Sequence, residues 1–368
     1  KNISKETVLI TSQFKARTKG ISLLQGQSFD IAAGETKTIQ LQFSLDAASF
    51  LEPVKELDGF IIFSSGNTQL NVPVLAVTKK VSQITASELK ILSSSEDATG
   101  ATVELKLKNS GKNQGEFLIF NLLGFDKRKL NPENNKNLNT SCDLQAAGYR
   151  IIEKEGRLVF QAAAKIYQPQ TTWNMCLITL LLDTNNDGIP EQELAGISLA
   201  SLGGLAGANN GNQFMSVLLD AKKARDIRRD FELSAQTKKD AKEDYSPAVT
   251  ELAPMYAMNH STIAIIEAPL EKLMTTELGR ISVRLGTITA DESSQNSDDF
   301  LDKKADQWTS ISLQESSQSY SGMPEKTVLN AGQEKTIYLN KGEGLKKLLV
   351  LYPQNPNVFS DLQKDGQD

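Results

Sequence analysis

The stretch that decides the fold is Val103-Glu104-Leu105-Lys106-Leu107-Lys108, in which apolar and charged residues alternate strictly. Successive side chains of a β-strand point to opposite faces, so this period of two predicts a strand with one buried and one solvated face. The residues that follow, Asn109-Ser110-Gly111, predict a turn, and a more apolar strand is predicted from residue 117 to 123. Such a pair is typical of antiparallel sheets.

The same pattern extends in both directions from this stretch. Ile39, Leu41 and Phe43 alternate with polar residues and predict an earlier strand. Pro73 lies inside another alternating run and restricts it to a sheet edge or a bulge, because proline has no N–H for the ladder. Further strands are predicted at residues 60–63, 158–162, 176–182, 262–267, 281–287 and 347–352. The sequence therefore predicts a mainly β protein of tandem antiparallel β-sandwiches.

One helix is predicted within this β pattern, over residues 213–233. Its apolar residues recur at helical spacing: Val217, Ala221, Ala224, Ile227 and Phe231. The opposite face mixes Lys and Arg with Asp, which is typical of a solvated helix face and not of a nucleic-acid site.

The length of 368 residues predicts two or three domains. We place a first sandwich at residues 1–81, a second at 84–295, and a polar linker with terminal strands at 296–368 that complete the second domain or form a small third. Residues 33–41 and 331–339 are identical at six of nine positions. The repeat alone leaves open a duplicated domain or a common glycine turn that precedes a strand.

Composition excludes several functional classes. The formal charge of −5 lacks the basic footprint of a nucleic-acid binder, and no apolar run is long enough for a transmembrane helix. The chain holds one histidine, His260, whereas most nucleophilic and His-rich metal machinery needs imidazole. The chain is therefore predicted to be non-catalytic.

The strongest chemical motif is the acidic loop 183–193, Asp-Thr-Asn-Asn-Asp-Gly-Ile-Pro-Glu-Gln-Glu. The candidate ligands are the side chains of Asp183, Asn185, Asp187, Glu191 and Glu193 and the carbonyl of Ile189. Oxygen donors at every second position, with a glycine at the sixth, favour a hard cation such as Ca²⁺. Leu194 at the twelfth position and the preceding strand argue against an EF-hand. The alternatives are a structural calcium loop between two strands and an Asn/Asp/Gly turn without metal; calcium is favoured because a turn needs fewer oxygens.

The two cysteines are Cys142 and Cys176. Their number alone leaves open a disulfide or two buried thiols, because pairing cannot be deduced from sequence.

Several segments resemble one family. Residues 33–35, 58–63 and 72–77 are similar to the fibronectin-III-like domain that follows the catalytic domain in large secreted subtilisin-like serine proteases. The C-terminal extension of such enzymes is similar to four further segments: residues 142–148, Trp173, the loop at 183–190 and residues 348–353. The catalytic motifs of the family, Asp-Ser/Thr-Gly, His-Gly-Thr-His and Gly-Thr-Ser-x-Ala, do not occur in the sequence.

The resemblance implies a fibronectin-III- or Ig-like first domain and a non-catalytic accessory region, a piece of a longer polypeptide that stabilises the enzyme. It implies the catalytic domain of a parent protease as partner, with protein substrate or a cell surface as further ligands. The implied location is secreted, periplasmic or at the cell surface, which favours a Cys142–Cys176 disulfide. The alternative is a stand-alone extracellular adhesin or binding protein. Substrate, oligomeric state and the packing of residues 296–368 stay open.

Overall fold

The computed structural model describes residues 1–24, 28–46, 52, 54–93, 101–128, 142–202, 213–235, 244–273, 279–289, 298–300, 308–313, 326–341, 347–355 and 359–363. The chain divides into two compact units, unit 1 at Lys1–Val81 and unit 2 at Ser82–Asp368. All strand pairs among these residues are antiparallel, and one α-helix accompanies them. The prediction of a mainly β protein with several antiparallel sheets and one helix is confirmed. No described helix has the length and apolar character that crossing a membrane requires.

Unit 1 contains six strands among its described residues. They are β1 (Val8–Ala16), β2 (Ile21–Leu23), β3 (Ser28–Ile31), β4 (Phe43–Leu45), β5 (Val54–Ser65) and β6 (Thr68–Lys79). Four of them form a sheet in the order β3-β1-β5-β6, and β2 pairs with β4. The rings of Phe14 on β1 and Phe43 on β4 meet edge-on at 5.1 Å, which joins the two sheets. Pro73 lies on the edge strand β6, as predicted.

The strand predicted around residues 39–43 forms only at its end. Residues 35–42 belong to no strand, and β4 begins at Phe43. Burial still alternates, because Ile39 and Leu41 are half-buried while Thr38 and Gln40 are exposed. The alternation of apolar and polar residues is therefore present, although residues 35–42 form no strand.

Unit 2 contains eighteen of the described strands and the helix α1 (Ala221–Ala235). The strands are β7 (Ile84–Ser93), β8 (Ala101–Asn109), β9 (Gly115–Phe125), β10 (Leu144–Lys154), β11 (Arg157–Gln170), β12 (Cys176–Asp183), β13 (Gln192–Ser198), β14 (Phe214–Asp220), β15 (Val249–Pro254), β16 (Tyr256–Ala257), β17 (Ser261–Pro269), β18 (Arg280–Thr289), β19 (Asp298–Phe300), β20 (Thr309–Ser312), β21 (Thr327–Leu329), β22 (Glu334–Lys341), β23 (Lys347–Leu351) and β24 (Phe359–Gln363).

Three sheets organise the described part of unit 2. The largest runs β16-β17-β11-β10-β9-β23-β24, with β21 also on β9. The second runs β15-β14-β13-β12-β18-β19, with β20 also on β18, and the third runs β22-β8-β7. The terminal strands β21 to β24 thus pair within unit 2. Most of the predicted polar linker lies outside the described residues.

Two hydrophobic clusters lie between these sheets. In the first, Phe160 and Ile166 of the largest sheet share a cluster with Ile178 and Leu180 of the second. In the second, the alternating residues Leu105 and Leu107 on β8 pack with residues of β9 and β23. Burying one such side chain fully contributes about 1.5–3 kcal/mol. The alternation that predicted β8 therefore reflects burial on one face.

The helix begins later than predicted. Residues 214–220 form β14, which pairs with β13 on one side and β15 on the other, so Val217 is a buried strand residue. The helix starts after Asp220, whose Oδ1 accepts a hydrogen bond from the backbone N–H of Lys223 at 3.0 Å. Such a capping carboxylate satisfies one of the free N–H groups of the first turn. The prediction of a helix from residue 213 is wrong at its start, because Val217 fits both periods.

Candidate metal centre

Strand β12 carries one of the two cysteines at its first residue and the first residue of the acidic loop at its last. Its first residue, Cys176, forms a disulfide with Cys142, and both cysteines are buried. The structure thus resolves the question that cysteine number left open, in favour of the disulfide. Next to this bond, Thr287 on β18 donates to the carbonyl of Cys142 at 2.6 Å. The last residue of the same strand is Asp183, which opens the acidic loop.

The loop between β12 and β13 brings three carboxylates together. Asp183, Asp187 and Glu191 each offer an oxygen, and these oxygens all lie within 4.8 Å of one another. Asp183 is buried, Glu191 is half-buried and Asp187 is exposed. The group therefore opens towards solvent on one side and rests on the sheet on the other.

Local hydrogen bonds explain why this sequence folds into a tight loop. The carboxylate of Asp183 accepts the N–H groups of Asp187 and Gly188, at 3.2 and 2.8 Å. Asn186 and Gly188 have positive φ angles of 62° and 87°, a region that asparagine and glycine tolerate best. The alternating Asp/Asn pattern is thus used by the backbone to close the turn.

Two further contacts fix the loop at its sides. Glu191 Oε2 accepts from the backbone N–H and the hydroxyl of Thr184, at 2.7 and 2.9 Å. Ser282 on the neighbouring strand β18 donates to Asn186 Oδ1 at 2.5 Å. The carboxylates are therefore positioned before any ligand binds, which lowers the entropic cost of binding.

The remaining predicted ligands differ in their placement. Asn185 stays in the loop and donates from Nδ2 to Asp187 Oδ2 at 3.1 Å. The N–H of Ile189 donates to Asp187 Oδ1 at 2.8 Å, and its side chain is exposed. Glu193 lies elsewhere: its oxygens bind Arg228 at 2.8 and 3.0 Å. Its carboxylate is held by Arg228 and does not belong to the group of three carboxylates, so the prediction of Glu193 as a ligand is wrong: Glu191 precedes β13, whereas Glu193 lies within it.

The electrostatics of the group suit a cation. Two unit charges 4.8 Å apart repel by about 3 kcal/mol at an effective dielectric constant of about 20, so the carboxylates of buried Asp183 and half-buried Glu191 oppose each other. An ionised carboxylate offers about four acceptor sites, and the described hydrogen bonds to Asp183 use two of them. An all-oxygen donor set matches Ca²⁺ and does not match soft transition metals.

Sequence reasoning missed a polar network inside the largest sheet. Glu267 accepts from Lys154 at 2.9 Å and from Gln161 at 2.7 Å, and Gln161 accepts from Arg150 at 2.8 Å. The guanidinium of Arg150 also lies 4.4 Å from the ring centre of Phe120. In sequence these residues look like the solvated side of strands; only the burial of Arg150, Gln161 and Glu267 marks them as a network.

Lys165, on the same face, is almost fully buried and donates to Thr262 Oγ1 at 3.0 Å and to the carbonyl of Ile166 at 3.2 Å. No ion pair joins it to a carboxylate among the described residues. Burial lowers the pKa of Lys165 to about 8.

His260, the single histidine, lies in the turn before β17 with a φ of 56°, and its N–H donates to the carbonyl of Gln170 at 2.6 Å.

No family model matches the chain. A comparison with curated proteins also finds no match.

Proposed function

We propose that this chain is a non-catalytic, calcium-stabilised β-sandwich scaffold of an exported protein. One observation carries the proposal: β12, in the core of unit 2, is tied by a disulfide at Cys176 and by a three-carboxylate group at Asp183. Both ties act on the same buried strand. Together they would fix the hairpin β12–β13 against its neighbour β18.

The two ties point to one environment. Disulfides persist in oxidising compartments and are rare where glutathione keeps thiols reduced. Oxygen-lined calcium sites of modest affinity are filled at the high calcium concentrations outside the cytoplasm. A secreted, periplasmic or surface location supplies both conditions.

The finer proposal is that the chain is the accessory region of a secreted subtilisin-like serine protease. It is supported by the sequence resemblance described above and by the missing catalytic motifs. In that role the chain would pack with the catalytic domain of the parent protease and help to bind protein substrate or a cell surface. A coding sequence upstream of Lys1 that carries the three catalytic motifs would support this role. An upstream reading frame without them would leave the alternative, a stand-alone adhesin or binding protein.

Calcium binding is tested by thermal unfolding of the full chain with excess Ca²⁺ and with chelator. At a calcium concentration 100 times the dissociation constant, the gain in unfolding free energy is about 2.7 kcal/mol. We expect Asp187→Asn to remove the calcium-dependent part of the melting temperature, because an amide lacks the negative charge.

The matched control is Asp230→Asn, on the exposed side of α1. It should leave the calcium response unchanged. Identical melting curves with and without calcium would refute the site, and so would an undiminished response in Asp187→Asn. Hydrolysis of casein by the purified chain, blocked by a serine-directed inhibitor, would refute the non-catalytic role.

A further inference from the structure

A buried asparagine organises the start of unit 1. Asn2 is 6% exposed, and its N–H donates to the carbonyl of Glu35 at 2.8 Å. Its Nδ2 donates to the carbonyls of Ile31 and Glu6 at 2.9 and 2.7 Å, while its Oδ1 accepts from Ser4 at 2.9 Å. The side chain thus joins the first residues of the chain to the end of β3.

Unit 2 repeats this arrangement around Asn109, which is fully buried. The N–H of Asn109 donates to the carbonyl of Gln333 at 2.9 Å. Its Nδ2 donates to the carbonyls of Leu329 and Asn113 at 3.1 and 2.8 Å, and its Oδ1 accepts from Gly111 at 3.1 Å. Each of these four contacts of Asn2 therefore has a counterpart at the same spacing, while the further contact of Asn2 Nδ2 with the carbonyl of Ala32 at 3.1 Å has none among the described hydrogen bonds.

The repeated sequence 33–41 and 331–339 forms the partner of each asparagine. Gly34 and Gly332 have positive φ angles of 74° and 72°. In both turns the side chain that follows the glycine accepts a backbone N–H from three residues earlier at 2.9 Å. The repeat is therefore one shared turn, and a generic glycine before a strand does not explain its side-chain contacts.

The strands around these turns correspond as well. Six residues after each asparagine, Val8 pairs with Ile31 in unit 1 and Gly115 pairs with Leu329 in unit 2. The strand order β3-β1-β5-β6 of unit 1 then corresponds to the order β21-β9-β23-β24 of unit 2. The two units share one substructure, which unit 2 interrupts with its larger insertion between β9 and β21.

Unit 2 has two strands that unit 1 lacks among its described residues. β8 runs directly into Asn109 and pairs with β22, the segment after the shared turn. β7 pairs with β8 and lies against β24. In unit 1 the counterpart of β22 is residues 36–43, whose first seven residues belong to no strand. Lys1 and Asn2 correspond to Lys108 and Asn109, the last two residues of β8.

The burial of apolar residues follows this difference. Leu339 on β22 is 6% exposed, whereas its counterpart Leu41 is only half-buried. Leu70 and Val72 on β6, opposite Phe63 and Ile61, are 62% and 37% exposed. We call Ile39, Leu41, Leu70 and Val72 the open face of unit 1. It lies where β7 and β8 would stand in unit 2.

We propose that the open face of unit 1 takes up a β-hairpin with the build of β7–β8, joined to Asn2 through Lys1. The strand next to Asn2 pairs antiparallel with residues 36–43. It carries apolar side chains two and four residues before Asn2, as Leu107 and Leu105 precede Asn109. Pairing along the free edge of β6 is disfavoured, because Pro73 removes a donor there.

In the test variant, a copy of residues 82–108 replaces Lys1 and thus directly precedes Asn2 in the full chain. Hydrogen exchange is then measured at the amides of residues 36–39. We expect exchange there to slow by about tenfold, since a new ladder closes these groups. The control carries aspartate at the copied positions of Leu105 and Leu107 and should leave the exchange fast.

Three outcomes would overturn the proposal. The first is unchanged exchange at residues 36–39 in the extended chain. The second is equal slowing by the aspartate control, which would show that added length and not strand packing acts. The third is protection of the unextended chain by the free hairpin peptide or by a dimer at micromolar concentration, which would assign the face to a separate partner.

Discussion

Breaking the Cys142–Cys176 disulfide gives a quantitative test of how unit 2 is stabilised. The bond links residues 34 apart in sequence, and both cysteines lie in the main hydrophobic cluster. In the chain-entropy description, a cross-link over a loop of that length removes freedom from the unfolded state worth about 4 kcal/mol at 25 °C. We therefore expect Cys142→Ala to lower the unfolding free energy of unit 2 by about that amount.

Urea titration monitored by tryptophan fluorescence is the appropriate assay. The two tryptophans, Trp173 and Trp308, both belong to unit 2, so the signal reports this unit and not unit 1. For a slope of about 3 kcal/mol per molar urea, the midpoint should fall by roughly 1 M.

A double-mutant cycle separates the link from local packing. If the covalent link dominates, Cys142→Ala, Cys176→Ala and the double variant should lose similar amounts, because each removes the same bond. Wild-type protein refolded in reductant should match them. Additive losses in the two single variants would refute the reasoning, and so would a loss below about 1 kcal/mol in reduced wild type.

Two further predictions concern buried charge in unit 2. Burial lowers the pKa of Lys165 to about 8, so on raising the pH the folded state loses this proton before the unfolded state does. The unfolding free energy should therefore rise by about 3 kcal/mol between pH 8 and pH 10.5. Urea titrations should show no such rise in Lys165→Met and an intact one in the control Lys222→Met. Arg228→Ala should lower the unfolding free energy by about 2 kcal/mol, since it leaves the carboxylate of Glu193 buried without its cation. Adding Glu193→Gln should recover part of this loss; no recovery would contradict the assignment.

Local patterns predicted several of the longer strands because burial on one face leaves a period of two in the sequence. The alternation in β8 and the position of Pro73 on an edge strand are examples. The same pattern failed at residues 35–42, where alternation is present but the described chain supplies no strand to pair with it. It also failed at Val217, since a buried residue between polar ones fits both the helix and the strand period.

In the acidic loop, too, some features follow from the local sequence and others depend on the tertiary structure. Regular spacing of oxygen donors identified Asp183, Asp187 and Glu191, because a tight loop brings nearby residues together. Spacing could not exclude Glu193, whose direction depends on the ladder of β13 and on Arg228 in α1. Nor could it find Arg150 or Lys165, because a polar residue within a strand reads as solvated until another part of the fold covers it.

By itself the sequence determined the class of fold, several of the longer strands, the acidic loop and the absence of familiar catalytic motifs. These features depend on residues a few positions apart, where side-chain direction and turn geometry leave direct marks. Only the tertiary structure decided that Cys142 joins Cys176, that Glu193 binds Arg228, and that the turns at Gly34 and Gly332 are equivalent. Such contacts join distant segments through the packing of whole sheets, and no local periodicity encodes which sheet will cover which residue.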